Sequence, residues 1–208
     1  METAIQEDFY MAVEFKDSVT KQNLMRAFAG ESQARNRYTF AASQAKSQKL
    51  HVVEAIFKFT ANQEKEHAEI FYNHLKEFAG ETIQIDGGYP VDISQSVVQL
   101  LRYAQHNEYE EHDDVYRAFG DKAKEEGFAK IAASFHNIAE IEKTHGDRFG
   151  RFADLLEQNK LFLSDVECGW MCLNCGYITN TKGAPEICPV CSHDQGFFIR
   201  LEMAPYCG

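Results

Sequence analysis

The chain has 208 residues, 44% of them hydrophobic, and a formal net charge of -11. That balance argues against nucleic acid as a partner, because a phosphate-tracking surface needs clustered Lys and Arg. No stretch approaches the roughly 18 apolar residues of a membrane span, and residues 1–20 are acidic and mixed, not basic then apolar. Neither a membrane segment nor a secretory leader is therefore expected, and a cytoplasmic setting is.

The chain punctuation is uneven. Of the four prolines only Pro90 precedes residue 185, and all six cysteines lie between 168 and 207. The shift marks a domain boundary near 163–166. It predicts an extension over 1–19, a helical bundle over 20–163 and a small domain over 166–208. The small domain is too short for an apolar core of its own and needs a staple, either metal or disulfide.

Four helices follow from the spacing of apolar residues. The first is expected over about 20–44, with Leu24, Phe28, Tyr38 and Ala42 on one stripe. The second, over about 51–79, carries Val53, Ile56, Thr60, Phe71, Leu75 and Phe78, and Gly80 stops it. Residues 81–90, with Gly87-Gly88, read as a long crossover. Asp92 and Gln95 then suggest a capping box for a third helix bearing Val97, Leu101, Ala104, Val115 and Phe119, which Gly127 ends. The fourth carries Ile131, Phe135, Ile138, Phe149, Phe152 and Leu156 and stops near Asn159. Two helical hairpins joined by one long crossover make a ferritin-like four-helix bundle.

Each stripe holds costly residues: Glu31 on the first helix, Glu64 and His67 on the second, Glu108 and Glu111 on the third, Glu142 and His145 on the fourth. An unpaired buried carboxylate costs several kcal/mol or takes up a proton. Five in one core call for bound cations, and oxygen ligands with two imidazoles suit iron or manganese. Glu64-x-x-His67 and Glu142-x-x-His145 each place two side chains on one helix face. Glu31 precedes Glu64 by 33 residues and Glu108 precedes Glu142 by 34, so the two halves repeat one plan. Back to back they give four carboxylates and two imidazoles, a known arrangement of di-iron and di-manganese bundles. Glu111 is surplus. It either binds metal, suiting a more oxidised pair, or hydrogen-bonds a ligand. Tyr38 and Tyr116 either hydrogen-bond the carboxylates or pack the core. His51, His74, His106, His112, His136 and His193 have no comparable constellation; His112, one turn after Glu108, is read as a surface group or a hydrogen-bonding neighbour of the ligands.

Cys172-x-x-Cys175 and Cys188-x-x-Cys191, twelve residues apart, read as a tetrathiolate metal site. Zinc and iron both accept such ligands. An electron-relay iron is favoured beside a di-iron site, with zinc able to replace it on heterologous expression. Disulfides are not expected. Cys168 and Cys207 are left as spare thiols.

These motifs resemble rubrerythrin from about Asn23 to Phe198. The resemblance rests on Phe28-Ala-Gly-Glu-Ser-Gln-Ala-Arg-Asn-Arg-Tyr38, Gln63-Glu-Lys-Glu-His67, Glu108-x-x-Glu111, Glu142-x-x-His145, and Trp170-x-Cys-x-Asn-Cys-Gly-Tyr177 with Gly183-Ala-Pro-Glu-x-Cys-Pro-x-Cys191. It implies two non-haem irons in the bundle and a rubredoxin-type iron in the small domain. It makes Glu31, Glu64, Glu108, Glu142 and His145 constant ligands, with one iron moving between His67 when reduced and Glu111 when oxidised. It also implies reduction of hydrogen peroxide to water in oxidative-stress defence. The electrons would come from rubredoxin or an NAD(P)H-dependent reductase, and the chain would work as a homo-oligomer, at least a dimer. The segment before Lys21, the pair Asp113-Asp114, Cys168 and Cys207 depart from the family pattern without touching a ligand. An iron-storage ferroxidase would use the same six ligands without needing a redox tail. A non-catalytic module with a zinc ribbon would leave the costly stripe residues unexplained.

Overall fold

The computed structural model describes residues 13–205; Cys207 and most of the expected extension lie outside them. Helices α1 (Val19–Ser47) and α2 (His51–His74) form the first hairpin. The second hairpin is α3 (Val97–Glu110), a π-helical turn (Glu111–Val115), α4 (Tyr116–Glu125) and α5 (Ala129–Glu157). The crossover of residues 79–96 joins the hairpins, which establishes the expected ferritin-like bundle. Gly80 and Gly127 stop α2's trailing turn and α4 at φ +88° and +90°, a conformation open to residues without a Cβ.

The start of α1 is fixed from the other hairpin. Ser18 caps it locally, its Oγ accepting from the Lys21 N–H. Glu126, just beyond α4, accepts from the N–H groups of Val19 and Thr20 at 3.1 and 2.9 Å and from the Thr20 hydroxyl at 2.6 Å.

Two details depart from the sequence reading. Ser96, not Asp92, caps α3, accepting from Gln99 N–H at 3.2 Å. Asp92 turns inward, where it pairs with Arg37 and accepts from Asn107 Nδ2 at 2.7 Å. The π-helical turn inserts one residue into what periodicity reads as a continuous helix. Downstream of it the buried positions are Tyr116, Gly120 and Ala123, whereas the expected stripe residues Val115 and Phe119 are only half-buried, one position out of register.

The core divides into two apolar layers. One includes Tyr38, Phe57, Leu101 and Phe149; the other includes Leu24, Phe71, Tyr116 and Phe135.

The small domain is a three-stranded antiparallel sheet in the order β2 (Ile178–Gly183), β1 (Leu163–Cys172), β3 (Phe198–Arg200). Its core is Trp170, Cys172, Ala184, Cys188 and Phe198, too few residues to hold the fold by burial alone. Trp170 is fully buried and donates from Nε1 to the Thr181 carbonyl at 3.0 Å. The domain docks on the α1–α2 turn. Phe197 stacks on His51 with ring centroids 4.0 Å apart, and Ile199 joins the first core layer. A Cβ on Gly196 would collide with the Lys49 carbonyl, so backbone meets backbone here.

Candidate metal centres

Glu31 lies on α1, Glu64 and His67 on α2, Glu108 at the end of α3, and Glu142 and His145 on α5. All six are buried, five of them to 0–1% exposure and His67 to 5%. Each helix contributes from its core stripe, and the two i, i+3 pairs point across the bundle axis at each other. Their ligand atoms fall into two overlapping groups. Glu31, Glu64, His67 and Glu142 form one; Glu64, Glu108, Glu142 and His145 form the other; within each, one atom per residue lies within 4.8 Å of all the rest. Glu64 and Glu142 belong to both, as bridging carboxylates of a dinuclear site would. The imidazoles stack at 5.5 Å between centroids, one per group.

The donor set fits metal. His67 Nδ1 lies 2.9 Å from Glu142 and 3.2 Å from Glu64; His145 Nδ1 lies 2.8 Å from Glu142 and 3.0 Å from Glu64. Yet both oxygens of Glu64 and Glu142, one each of Glu31 and Glu108, and the Nδ1 atoms of both histidines are buried without a hydrogen-bond partner. Groups of this polarity are otherwise partnered in folded proteins. Two divalent cations would neutralise the four carboxylates and engage these atoms.

Without cations, protons must take their place. Burial, then the charges of Glu142, Glu64 and Glu111, hold Glu31 well above the ordinary carboxylate range. Burial and Glu64 do the same to Glu108, and burial and Glu108 to Glu111. Burial opposes charge on the imidazoles, but the carboxylates around them outweigh it and raise His67 to about 9 and His145 to about 12. Burial opposes charge on Glu64 as well, yet the two imidazoles pull it down to about 2. Metal binding here must therefore expel protons.

Both tyrosines singled out in the sequence hydrogen-bond the carboxylates, each across to the other hairpin. Tyr116 donates to Glu31 Oε1 at 2.6 Å and Tyr38 donates to Glu108 Oε1. Glu111 is not part of either ligand group. It sits half-buried at the π-helical turn and lines a cavity beside Tyr116. His112 is buried, not a surface group; its Nδ1 pairs with Asp113 at 2.7 Å and its Nε2 meets Arg117 at 2.8 Å. Two arginines near the site were not singled out by the sequence. Arg148, three residues past His145, donates to Thr60 and Gln63 at 2.9 and 3.0 Å, and Arg37 carries the Asp92 pair. Arg37 lies inside the Glu31–Tyr38 motif; Arg148 is one turn beyond a ligand, on the same face.

In the small domain, Cys172, Cys175, Cys188 and Cys191 converge. Cys172 and Cys191 Sγ are 3.8 Å apart, and Cys175 and Cys188 Sγ 3.6 Å. A tetrahedron with metal–sulfur bonds of about 2.3 Å has edges of about 3.8 Å, so the spacing is that of a tetrathiolate. The knuckles carry their own thiolate donors. The backbone N–H of His193 pulls Cys191 down to about 6. That of Tyr177 favours the Cys175 thiolate too, but desolvation and the three neighbouring sulfurs push its thiol up to about 12. Cys168 stands apart, half-buried on β1.

A ferritin-like bundle with a dinuclear carboxylate site, followed by a rubredoxin-like tetracysteine domain, defines the class. A family profile described as Rubrerythrin matches residues 22–153, and one described as the rubrerythrin rubredoxin-like domain matches residues 170–199. The chain is 43% identical over 183 residues to a rubrerythrin of Porphyromonas gingivalis, covering 88% of this chain and 90% of that one. It is 38% identical over 186 residues to one of Nitratidesulfovibrio vulgaris, covering 89% and 96%. The fully reduced, all-ferrous structure of nigerythrin superposes with a TM-score of 0.60 at 27% identity, covering 94% of this chain and 91% of that one. The chain belongs to the rubrerythrin family.

Proposed function

We propose that this chain is a non-haem di-iron peroxidase that reduces hydrogen peroxide to water, H2O2 + 2 e− + 2 H+ → 2 H2O. The observation that carries the reading is the union in one chain of a dinuclear carboxylate–imidazole site and a four-thiolate site. The bundle irons would supply two electrons at one place, and the single thiolate-bound iron would return them one at a time.

The residues determine how that chemistry is contained. Glu64 and Glu142, common to both groups, would be shared between the two irons, Glu31 with His67 and Glu108 with His145 would complete the two sets, and the imidazoles stack against each other. Tyr116 and Tyr38 fix the orientation of Glu31 and Glu108 through their hydroxyl protons. Aromatic side chains close the site along the bundle axis: Phe71 packs on Phe135 at 4.9 Å on one side, and Phe149 on Tyr38 at 5.0 Å on the other. They exclude water and so limit loss of electrons to side reactions. Glu111, facing a cavity, is placed to hold a proton for the departing oxygen, and its carboxylate would be available as a further ligand.

The electron donor would be rubredoxin or an NAD(P)H-dependent reductase acting through the small domain. A homo-oligomer is part of the reading. Phe197 of the small domain stacks on His51, and Glu64 lies thirteen residue steps further along α2. At 1.5 Å rise per residue that is about 20 Å along the helix. Electron tunnelling falls steeply with distance, so the relay of one chain would serve the bundle of another. The five free cysteines among the described residues suit a reducing, cytoplasmic setting, and no helix there is long and apolar enough to cross a membrane.

Zinc in the small domain with iron in the bundle separates the steps. A single turnover of peroxide is expected to survive that substitution, while sustained turnover with a reductase falls to background. Unimpaired sustained turnover would remove the relay from the mechanism. An iron-storage ferroxidase would instead mineralise excess ferrous iron catalytically, an activity not expected of this chain.

A further inference from the structure

A cavity of about 240 Å³ lies between α1, the π-helical turn and the crossover loop. Its floor is Gly30, next to Glu31. Tyr89 of the crossover forms its roof, held by a hydrogen bond from its hydroxyl to the Arg26 carbonyl at 3.0 Å. Asp92 anchors the same loop through Arg37 and Asn107. A Cβ on Gly30 would lie 3.7 Å from the Tyr89 ring and 4.0 Å from the Tyr116 hydroxyl, so a methyl group there would already touch both and a larger side chain would fill the space.

Two features place this space beside the candidate metal site. Its wall includes Tyr116, which is bonded directly to Glu31. It also includes Glu111, the expected ligand that stands outside both four-residue groups. The six converging ligands are themselves nearly inaccessible, and aromatic pairs pack beside the site along the bundle axis. The charge along the path suits a cation. Glu110 and Glu111 both line it, and the lining Arg26 is neutralised by Asp86 at 2.6 Å.

We propose that the cavity beneath the crossover loop is the route by which divalent metal ions reach the dinuclear site, with Glu111 the carboxylate that receives an ion at the inner end. Loading by this route precedes and is separate from any reaction with peroxide. Opening the roof should hasten loading, and filling the floor should slow it.

The test is uptake of Co2+ by the metal-free full chain, followed by stopped-flow absorbance. Thiolate-to-cobalt bands report the small domain, and the weaker ligand-field bands of oxygen and nitrogen ligands report the bundle. Tyr89→Ala should load the bundle faster than wild type. Gly30→Leu should load it about tenfold more slowly, a barrier change of about 1.4 kcal/mol. In both, the thiolate site should fill at the wild-type rate, which makes it an internal control. Wild-type bundle rates in both variants, with two cobalt ions still bound there, would overturn the route. Should Gly30→Leu lose bundle stoichiometry, Tyr89→Ala alone decides, a faster rate supporting the route and an unchanged one overturning it. Failure of the wild-type bundle to bind cobalt would overturn the route together with the metal site it serves, a result distinct from a failure to reduce peroxide.

Discussion

Tyr116 shows how one hydroxyl serves the metal site. Glu31 sits at 0% exposure with one oxygen held by Tyr116 at 2.6 Å and the other left for metal. Tyr116→Phe removes the donor and keeps the ring. Loss of such an orienting hydrogen bond weakens metal binding about ten- to a hundredfold, and chelator competition against the loaded bundle should show it. A separate residue-scale effect concerns Glu126, which gathers three hydrogen bonds at the start of α1. Burial disfavours its charge, but the bonds from Thr20 and Val19 lower its pKa below the ordinary value. Its contribution is therefore full above the unfolded-state pKa and is lost as pH falls through the lower folded value. Glu126→Gln should cost about 1 kcal/mol at neutral pH, the size of a helix-cap loss. Denaturant melts should show the variant and wild type converging as pH falls through that range.

At the scale of elements, the docking of the small domain on the α1–α2 turn depends on Gly196. It has no room for a Cβ against the Lys49 carbonyl, which is backbone and cannot swing aside. Gly196→Ala should cost about 1–3 kcal/mol as overpacking. The strain should appear as faster hydrogen exchange over 49–52 and 195–199, with the bundle core unchanged. Nothing in the sequence marks this contact, because a glycine needed for close approach looks like a glycine needed for a turn. The same limit applies to the π-helical turn at Glu111–Val115. An inserted residue leaves composition unchanged, so Val115 and Phe119 read as core until Tyr116 is seen to take their place. Asp92 read as a cap because its spacing allows one; its real partners, Arg37 and Asn107, are brought near only by the fold. The six candidate ligands that converge were legible for the opposite reason. Carboxylates on an apolar stripe are expensive wherever the helices go, and two Glu-x-x-His pairs at matching offsets constrain the geometry before folding is considered. The Cys-x-x-Cys knuckles were legible on the same grounds, since their spacing alone presents four thiolates.

For the whole molecule, two metal sites of different chemistry share one chain without being neighbours along it. The bundle holds hard oxygen ligands with two imidazoles beside aromatic layers, and the small domain holds four soft thiolates, Cys172 and Cys188 in its core and Cys175 at the surface. The proposed peroxidase would use the two sites in series, taking electrons in one at a time and delivering them in pairs. That claim is tested most directly by anaerobic stopped-flow of the fully reduced, iron-loaded protein against hydrogen peroxide, with oxygen in parallel. The visible absorbance of the oxidised thiolate-bound iron is the signal. A di-iron peroxidase fed by the thiolate iron should recolour rapidly with peroxide, matched by peroxide loss, and slowly with oxygen. Faster return with oxygen, or colour without peroxide consumption, would contradict it.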